Sequence, residues 1–494
     1  LNGAVTAIAR LRADLAAANF TVDALTDLWG EDAAAALHRG HRVPALRALD
    51  HRAPLATLAQ CFVLSVPVPA GELAAALPRL GIAGAVELGL TTPDGVPLLD
   101  LRPYSVVDTG GVVSWWIVSD LGELALGHAL GEHHVLGVGG ASTTLSALMM
   151  ALPVDVALDL GTGCGIQALH AARHARRVIA TDISPRALVL ARLNAELNAV
   201  TNIEFRLGSL FEPVAGERFG HVVSNPPFVI TPRTTGVPEY EYRDGGLVGD
   251  ALVASVLRDA GEHLEPGGFT QLLGNWEYSG EPGLDRVRHW LDGTGLDAWV
   301  VERERQSVEQ YAETWIRDGG TRPGPEFDRL YEAWLNDFAS RGVAEVGFGY
   351  VTLRRPETAG ATLQRFEHYD APLGGSLGDH IASVFAAHDW LTARDDAALA
   401  AATLTIAADV TEERHYWPGA EHPTLMLLHQ GSGFARTVPV GTALAAVVGA
   451  CDGTLSLGAI CSAVAQLLDA DEPQLTAELL AAVRELVLDG FLVA

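Results

Sequence analysis

The chain has 494 residues, 49% of them hydrophobic, and sets 61 acidic against 33 basic side chains for a formal net charge of -28. That length exceeds one hydrophobic core, so two or three domains are expected, and so acidic a surface disfavours extensive electrostatic binding of nucleic acid unless the basic residues gather on one face. No run of about eighteen uncharged apolar residues is present to span a bilayer and no basic stretch leading into an apolar segment opens the chain, so a cytoplasmic protein with no membrane partner is expected, acting on a protein, peptide or small molecule.

All the basic residues are arginine, which together with the Ala and Gly excess points to a GC-rich genome rather than to a function. Cys61, Cys164, Cys451 and Cys461 are far apart and lack paired metal-ligand spacing. Reduced structural thiols and no metal site are expected.

Residues 1–130 read as a domain of their own. Helical periodicity over 4–18, 23–37 and 44–50, and again after Pro69, gives short helices, and Thr92-Pro93-Asp94-Gly95 is a turn tetrapeptide that opens a hairpin. Short helices followed by a hairpin resemble a winged helix, a module that binds nucleic acid or selects and docks an acceptor. The region is not basic. A strand over 113–118 carries Trp115 and Trp116, expected in core or interface. Between 133 and 144 the glycines suggest a loop lying close to a ligand or to other backbone, and Ser142 or Thr143 can cap the helix that follows. The His133-His134 pair reads as structural.

Residues 131–358 read as the next domain, in which strands and helices alternate from 156 to about 355, as in a parallel α/β sheet covered by helices on both faces. Strands are expected at 154–160, 177–182, 202–207, 219–224, 269–276, 296–303 and 345–353. A helical insertion, 305–341, joins the last two, which should form a partly antiparallel edge; an ordinary six-stranded dinucleotide fold does not finish this way. Tyr311, Trp315, Tyr331 and Trp334 fall at helical spacings within the insertion and are expected to dock it on the sheet, with acceptor binding as the alternative. From 359 to 494 the chain turns Ala-rich and acidic, with short strands near 403–407 and 424–428 and helices over 444–492. It reads as a second winged-helix-like domain, structural or partner-binding.

Three strand ends carry the chemistry. The first runs into Asp159-Leu160-Gly161-Thr162-Gly163-Cys164-Gly165, whose glycines remove the Cβ atoms that would hold a ligand off the backbone, while the following helix offers unsatisfied amides. The second closes on Asp182, a carboxylate beside that loop, placed to accept both hydroxyls of a ribose. Either feature fits NAD as well. The third, Ser224-Asn225-Pro226-Pro227-Phe228, decides between them, because hydride transfer needs nothing of the kind. Two prolines stiffen the backbone and forgo donors, Asn225 adds an acceptor, and Phe228 offers an aromatic face. That set grips a planar NH2 group by its two hydrogens and stacks on the conjugated plane behind it. An amide nitrogen is a poor nucleophile, and acceptors that bind its hydrogens more strongly as positive charge develops favour the transition state.

Together these motifs resemble class I S-adenosylmethionine-dependent methyltransferases, and within them the enzymes that modify planar nitrogens: release-factor glutamine methyltransferases, and adenine-N6 and guanine-N2 methyltransferases. The resemblance covers about 135–355. It implies a seven-stranded Rossmann-like domain flanked by the two winged-helix-like domains, S-adenosylmethionine as cofactor, and methyl transfer to a glutamine amide of a protein or peptide. The alternatives are a nucleobase in RNA or DNA, or a non-catalytic binding protein that keeps the cofactor structurally. It assigns the cofactor to Asp159, Gly161, Thr162, Gly163, Cys164, Gly165, Asp182, Ile183, Ser209, Leu210 and Asn225, and catalysis to Asn225, Pro226 and Phe228. Pro227, Phe228, Tyr242, Arg243 and Trp276 are assigned to the acceptor. Ser209 stands where the family usually has an acidic residue, so the adenine contact falls to Ser209, Leu210 or backbone amides. The segment 240–247 resembles the loop after the catalytic motif, read either as a lid in which Arg243 and Asp244 orient the acceptor or the loop itself, or as a salt-bridged surface loop.

Overall fold

The computed structural model describes residues 2–49, 53–108, 110–126, 130–131, 133–234, 236–238, 243–357 and 360–494. Two compact units separate, Leu1–Ser146 with Pro153–Tyr369 and Ala147–Leu152 with Asp370–Ala494.

The first unit begins with short helices and a hairpin, β1 (Leu99–Asp108) and β2 (Gly111–Asp120), paired antiparallel. The chain then builds a sheet from β3 (Val154–Leu160), β4 (Ala175–Asp182), β5 (Ile203–Leu207), β6 (Phe219–Ser224), β7 (Leu264–Tyr278), β8 (Asp297–Ser307), β9 (Glu345–Arg354) and β10 (Gln364–His368). Their order across the sheet is β10-β8-β9-β7-β6-β3-β4-β5. All pairs from β7 to β5 are parallel; β9 runs antiparallel between β7 and β8. The order reverses at β3, with β4 on one side and β6 on the other. Open α/β sheets bind ligands in the crevice at such a point.

All seven expected strands are present, and an eighth was missed. β10 pairs parallel to β8 at the sheet edge. Its sequence, Gln-Arg-Phe-Glu-His, is polar and only half-buried, the composition by which sheet edges avoid pairing with other chains and by which they pass for loops. A mixed eight-stranded sheet therefore replaces the expected seven.

One face of the sheet is sealed by the helices Ala251–Asp259 and Gly283–Leu291 over Leu158, Leu272, Trp276, Val300 and Val351. The expected boundary at 130 is crossed by a single core: Leu11, Leu15, Phe20 and Phe62 cluster with Ile166, Leu169, Leu190 and Leu197 from the helices that follow β3 and β4. Buried Asn194 reinforces the joint, donating to the carbonyls of Val118 (2.9 Å) and Cys164 (2.8 Å) while accepting from the Val118 amide at 2.7 Å. Trp116 donates its indole hydrogen to the Phe20 carbonyl at 2.7 Å, and Trp115 stacks against Tyr104.

The insertion forms two helices, Val308–Asp318 and Pro325–Ser340. Ser307 caps the first by accepting from the Gln310 amide, and Pro325 opens the second. Tyr311, Trp334 and Phe338 bury against Val229, Ile230 and Val346, so the insertion docks as expected. Trp315 and Tyr331 stay half-buried.

The second unit holds two three-stranded sheets and the helices Leu377–Thr392, Thr442–Ala450, Leu457–Leu467 and Glu472–Leu488 around Leu457, Ile460, Val483 and Phe491. Cys451 and Cys461 lie in this core, and burial pushes the Cys451 thiol up to about 11. All four cysteines are buried and free. Among the described residues no helix is long and apolar enough to cross a membrane, and no group of three or more His, Cys, Asp or Glu side chains is placed to hold a metal.

Candidate active site

The ends of β3, β4 and β6 are neighbours. Leu160 stands opposite Thr181 of β4 and opposite Ser224 of β6, and the Ser224 hydroxyl donates to the Leu160 carbonyl at 2.7 Å. Asp182 and Asn225 therefore lie at the carboxyl ends of the strands on either side of β3, with Asp159 inside β3 between them.

Positive φ angles of 76°, 55° and 90° at Gly161, Gly163 and Gly165 explain why glycine recurs there. The three differ in what they serve. A Cβ at Gly161 or Gly163 would meet nothing within 4 Å, whereas one at Gly165 would lie 3.1 Å from the Ala191 Cβ. The first two leave room for a ligand; the third lets two helices approach. The loop's own amides at Gly161, Thr162, Gly163 and Gly165 are all taken within the chain. Gly161 and Thr162 both donate to the Thr181 carbonyl (3.0 and 2.9 Å), Gly163 donates to the Asp182 carboxylate, and Gly165 donates to the Thr162 carbonyl at 2.8 Å. A loop built to cradle a phosphate would keep those donors outward; this one does not. Cys164 is buried, its carbonyl taken by Asn194.

Asp159 is fully buried. One oxygen accepts from the Thr162 hydroxyl at 2.5 Å, and Oδ1 has no hydrogen-bond partner. Burial pushes the carboxyl up to about 7 against the pull of Thr162. Asp182 is held by two amides, Gly163 at 2.9 Å and Ser184 at 2.8 Å, one on each oxygen. These two bonds fix the carboxylate in orientation. Beside it Ile183 is 62% exposed, an apolar surface at the mouth. Just past the neighbouring end of β5, where the Gly208 amide donates to the Asp182 carbonyl at 3.0 Å, Ser209 and Leu210 are half-buried, and Leu210 is held at φ 44°, a conformation uncommon in non-glycine residues.

At the third end Asn225 is half-buried, and its Oδ1 is buried without a hydrogen-bond partner. An amide acceptor left unmet in this way costs about 1–3 kcal/mol. Pro226 is buried, Pro227 half-buried. Phe228 packs edge-on to Trp315 with ring centres 6.4 Å apart and tilts against Phe348 at 5.6 Å. The turn is pinned from outside: Phe228 bridges Asp244, and the Val229 amide donates to the Arg243 carbonyl at 2.9 Å.

Residues 138–287 match the profile of the methyltransferase small domain. Residues 17–102 and 382–494 match two domains of unknown function, DUF7059 and DUF7782. Curated relatives include the release factor glutamine methyltransferase of Yersinia pestis, 37% identical over 34% of this chain and 62% of that protein. The ribosomal protein uL3 glutamine methyltransferase of Bradyrhizobium diazoefficiens is 34% identical over 29% and 46%. A putative protein N5-glutamine methyltransferase of Methanocaldococcus jannaschii is 33% identical over 26% of this chain and 68% of that protein. The chain belongs to the S-adenosylmethionine-dependent methyltransferases. It spans about half the length of most of the curated relatives it matches.

For this methyltransferase the residues present fit the cofactor. Asp159 is a buried carboxyl with an oxygen left unmet, Asp182 would hold the diol of a ribose, Ile183 and Leu210 would lie against the purine, and the open space over Gly161 and Gly163 would admit the rest. The spent amides favour a ligand without phosphate, which argues against NAD.

Two acceptor assignments need correction. Trp276 is fully buried; its indole donates to Glu302 at 2.6 Å, with Tyr278 donating to the same carboxylate at 2.7 Å. It points into the core that seals the opposite face and cannot line the cleft. Arg243 is 6% exposed and bonds the Trp315 carbonyl (2.8 Å) and Asp318 (3.1 Å) at the end of the first inserted helix, so it ties its own segment to that helix rather than facing the acceptor. Asp244 pairs with Arg233. Tyr242 lies outside the described residues. Sequence reasoning missed Thr181, whose carbonyl takes two loop amides, and Ser224, whose hydroxyl ties two strand ends; neither carries a motif.

Proposed function

We propose that this protein transfers the methyl group of S-adenosylmethionine to the side-chain amide nitrogen of a glutamine in a protein or peptide. The observation that carries the reading is the partnerless, buried Asn225 Oδ1 at the end of β6, beside the glycine loop and Asp182. The names of the relatives support the glutamine, and the charge of -28 disfavours RNA or DNA.

The cofactor, when bound, supplies an electrophilic methyl on a sulfonium. Asp182 orients the ribose and Asp159 balances positive charge at the methionine end. Asn225 Oδ1 and the Pro226 carbonyl accept the two hydrogens of the acceptor amide, and Phe228 stacks on its plane. Those acceptors tighten as the nitrogen gains positive charge, an effect worth about a hundredfold or more in rate for preorganised groups. Fixed alignment supplies the rest. No general base precedes attack; the proton leaves afterwards to water. The proline pair keeps the turn from relaxing, and the flanking domains, read as winged-helix-like, would present the acceptor protein in the cytoplasm.

Label transfer from methyl-tritiated S-adenosylmethionine to a cell lysate tests the acceptor. The expected result is label lost to protease and resistant to RNase and DNase. Label lost to a nuclease instead assigns the grip to a nucleobase amine.

A further inference from the structure

The hydroxyl of Tyr311, in the first inserted helix, accepts from the backbone amide of Ile230 at 3.0 Å and from the side-chain amide of Asn275 at 2.5 Å. Ile230 lies two residues beyond Phe228. Asn275 stands near the end of β7, the strand beside β6. One oxygen therefore joins three elements, the chain leaving the Asn-Pro-Pro-Phe turn, the sheet, and the insertion, and all three groups are buried: Tyr311 is 3%, Asn275 1% and Ile230 1% exposed. From this geometry we propose that Tyr311 is a positioning residue for methyl transfer, setting the acceptor turn against the sheet so that Asn225 and Phe228 meet the acceptor nitrogen at the correct height.

Asn225 is fixed on its inner side by β6, and its neighbour Pro226 has no amide with which to hold itself. The first backbone donors after the prolines that bond outside the turn are Val229, on the Arg243 carbonyl, and Ile230, on Tyr311. The same helix closes the other flank, because Arg243 bonds the Trp315 carbonyl and Asp318. A buried Ile230 amide deprived of its acceptor cannot turn to water, so the segment must shift to satisfy it. Burial pushes the Tyr311 phenol up from its ordinary value, so it stays neutral and able to accept across the working pH range. The insertion between β8 and β9 is thereby a brace for the acceptor side of the site, separate from the cofactor side that Asp159 and Asp182 build.

The inference rests on the proposed methyltransferase reading, and Tyr311→Phe tests it with two readouts. Hydrogen exchange in the peptide spanning 225–231 should speed up while the rest of the sheet keeps its protection, a response that needs no acceptor. Tritium transfer to lysate protein at saturating cofactor should fall about tenfold or more, with S-adenosylhomocysteine affinity within about twofold of the parent. Unchanged exchange, or faster exchange with unchanged transfer, overturns the positioning role; so does loss of cofactor affinity in step with transfer. Asn275→Ala, which keeps the Ile230 bond but loosens its buttress, should move both readouts the same way by less, and serves if the first variant fails to fold. Absence of transfer by the parent protein would sink the methyltransferase reading instead, and is seen before either variant is compared.

Discussion

The carboxylate of Asp182 accepts the backbone amide of Gly163 at 2.9 Å, so the end of β4 and the glycine loop after β3 are one rigid unit. The ribose acceptor is thus built into the loop rather than set beside it. Replacing Asp182 with Ala should weaken S-adenosylhomocysteine about 10- to 100-fold by calorimetry, the scale of one or two hydrogen bonds to a charged group. NADH binding in its place would contradict the assignment.

Two glycines of the same loop should answer differently to alanine. Gly165→Ala forces a Cβ to 3.1 Å from Ala191 Cβ at φ 90°, so unfolding by urea should lose stability, about 1–3 kcal/mol for overpacking. Gly161→Ala meets open space and carries only the positive-φ strain, about 1–2 kcal/mol, that Gly165→Ala bears in addition to its overpacking, so it should cost less stability and weaken the cofactor more. Equal effects on both properties would deny the division of labour.

Trp276 should behave as core. Trp276→Ala removes a fully buried ring and leaves Glu302 without the indole donor, which predicts a loss of about 3–5 kcal/mol in denaturant unfolding. A stable variant with a raised KM for the acceptor would return Trp276 to the cleft.

The pair His174 and His221, 3.0 Å apart between ring nitrogens, predicts an acid limit. Burial lowers His174 to about 4 and holds His221 well below its ordinary 6.5. The unfolded chain therefore takes up these protons first. The stabilisation is complete above about pH 6.5 and is lost as pH falls towards 4. Urea midpoints measured across that window should slope less in His174→Gln than in the parent. An identical slope would show that the pair does not govern it.

The strand ends were legible in the sequence because each is local. An apolar run fully buried in a parallel sheet, followed by Gly161-Thr162-Gly163 or by Pro226-Pro227, marks its own boundary. Partners distant in sequence left no such trace. Whether Trp276 or Asn275 faces the cleft depends on alternation along β7 and on Glu302, 26 residues on. The loop amides are consumed by Thr181, which carries no motif. β10 hides because an edge strand may be polar, and the N-terminal helices merge with the central core through Asn194 and its neighbours, a tertiary fact that helical periodicity cannot express.

The central claim is that Asn225 holds a glutamine amide for methylation. Acid hydrolysis of protein labelled by methyl-tritiated S-adenosylmethionine reports it directly, since cleavage of an N-methylated side-chain amide releases the label as methylamine. The account predicts labelled methylamine with the parent enzyme and a loss of about a hundredfold or more with Asn225→Ala at unchanged cofactor affinity. Label retained on a non-volatile product, or full activity without the Asn225 side chain, would contradict it.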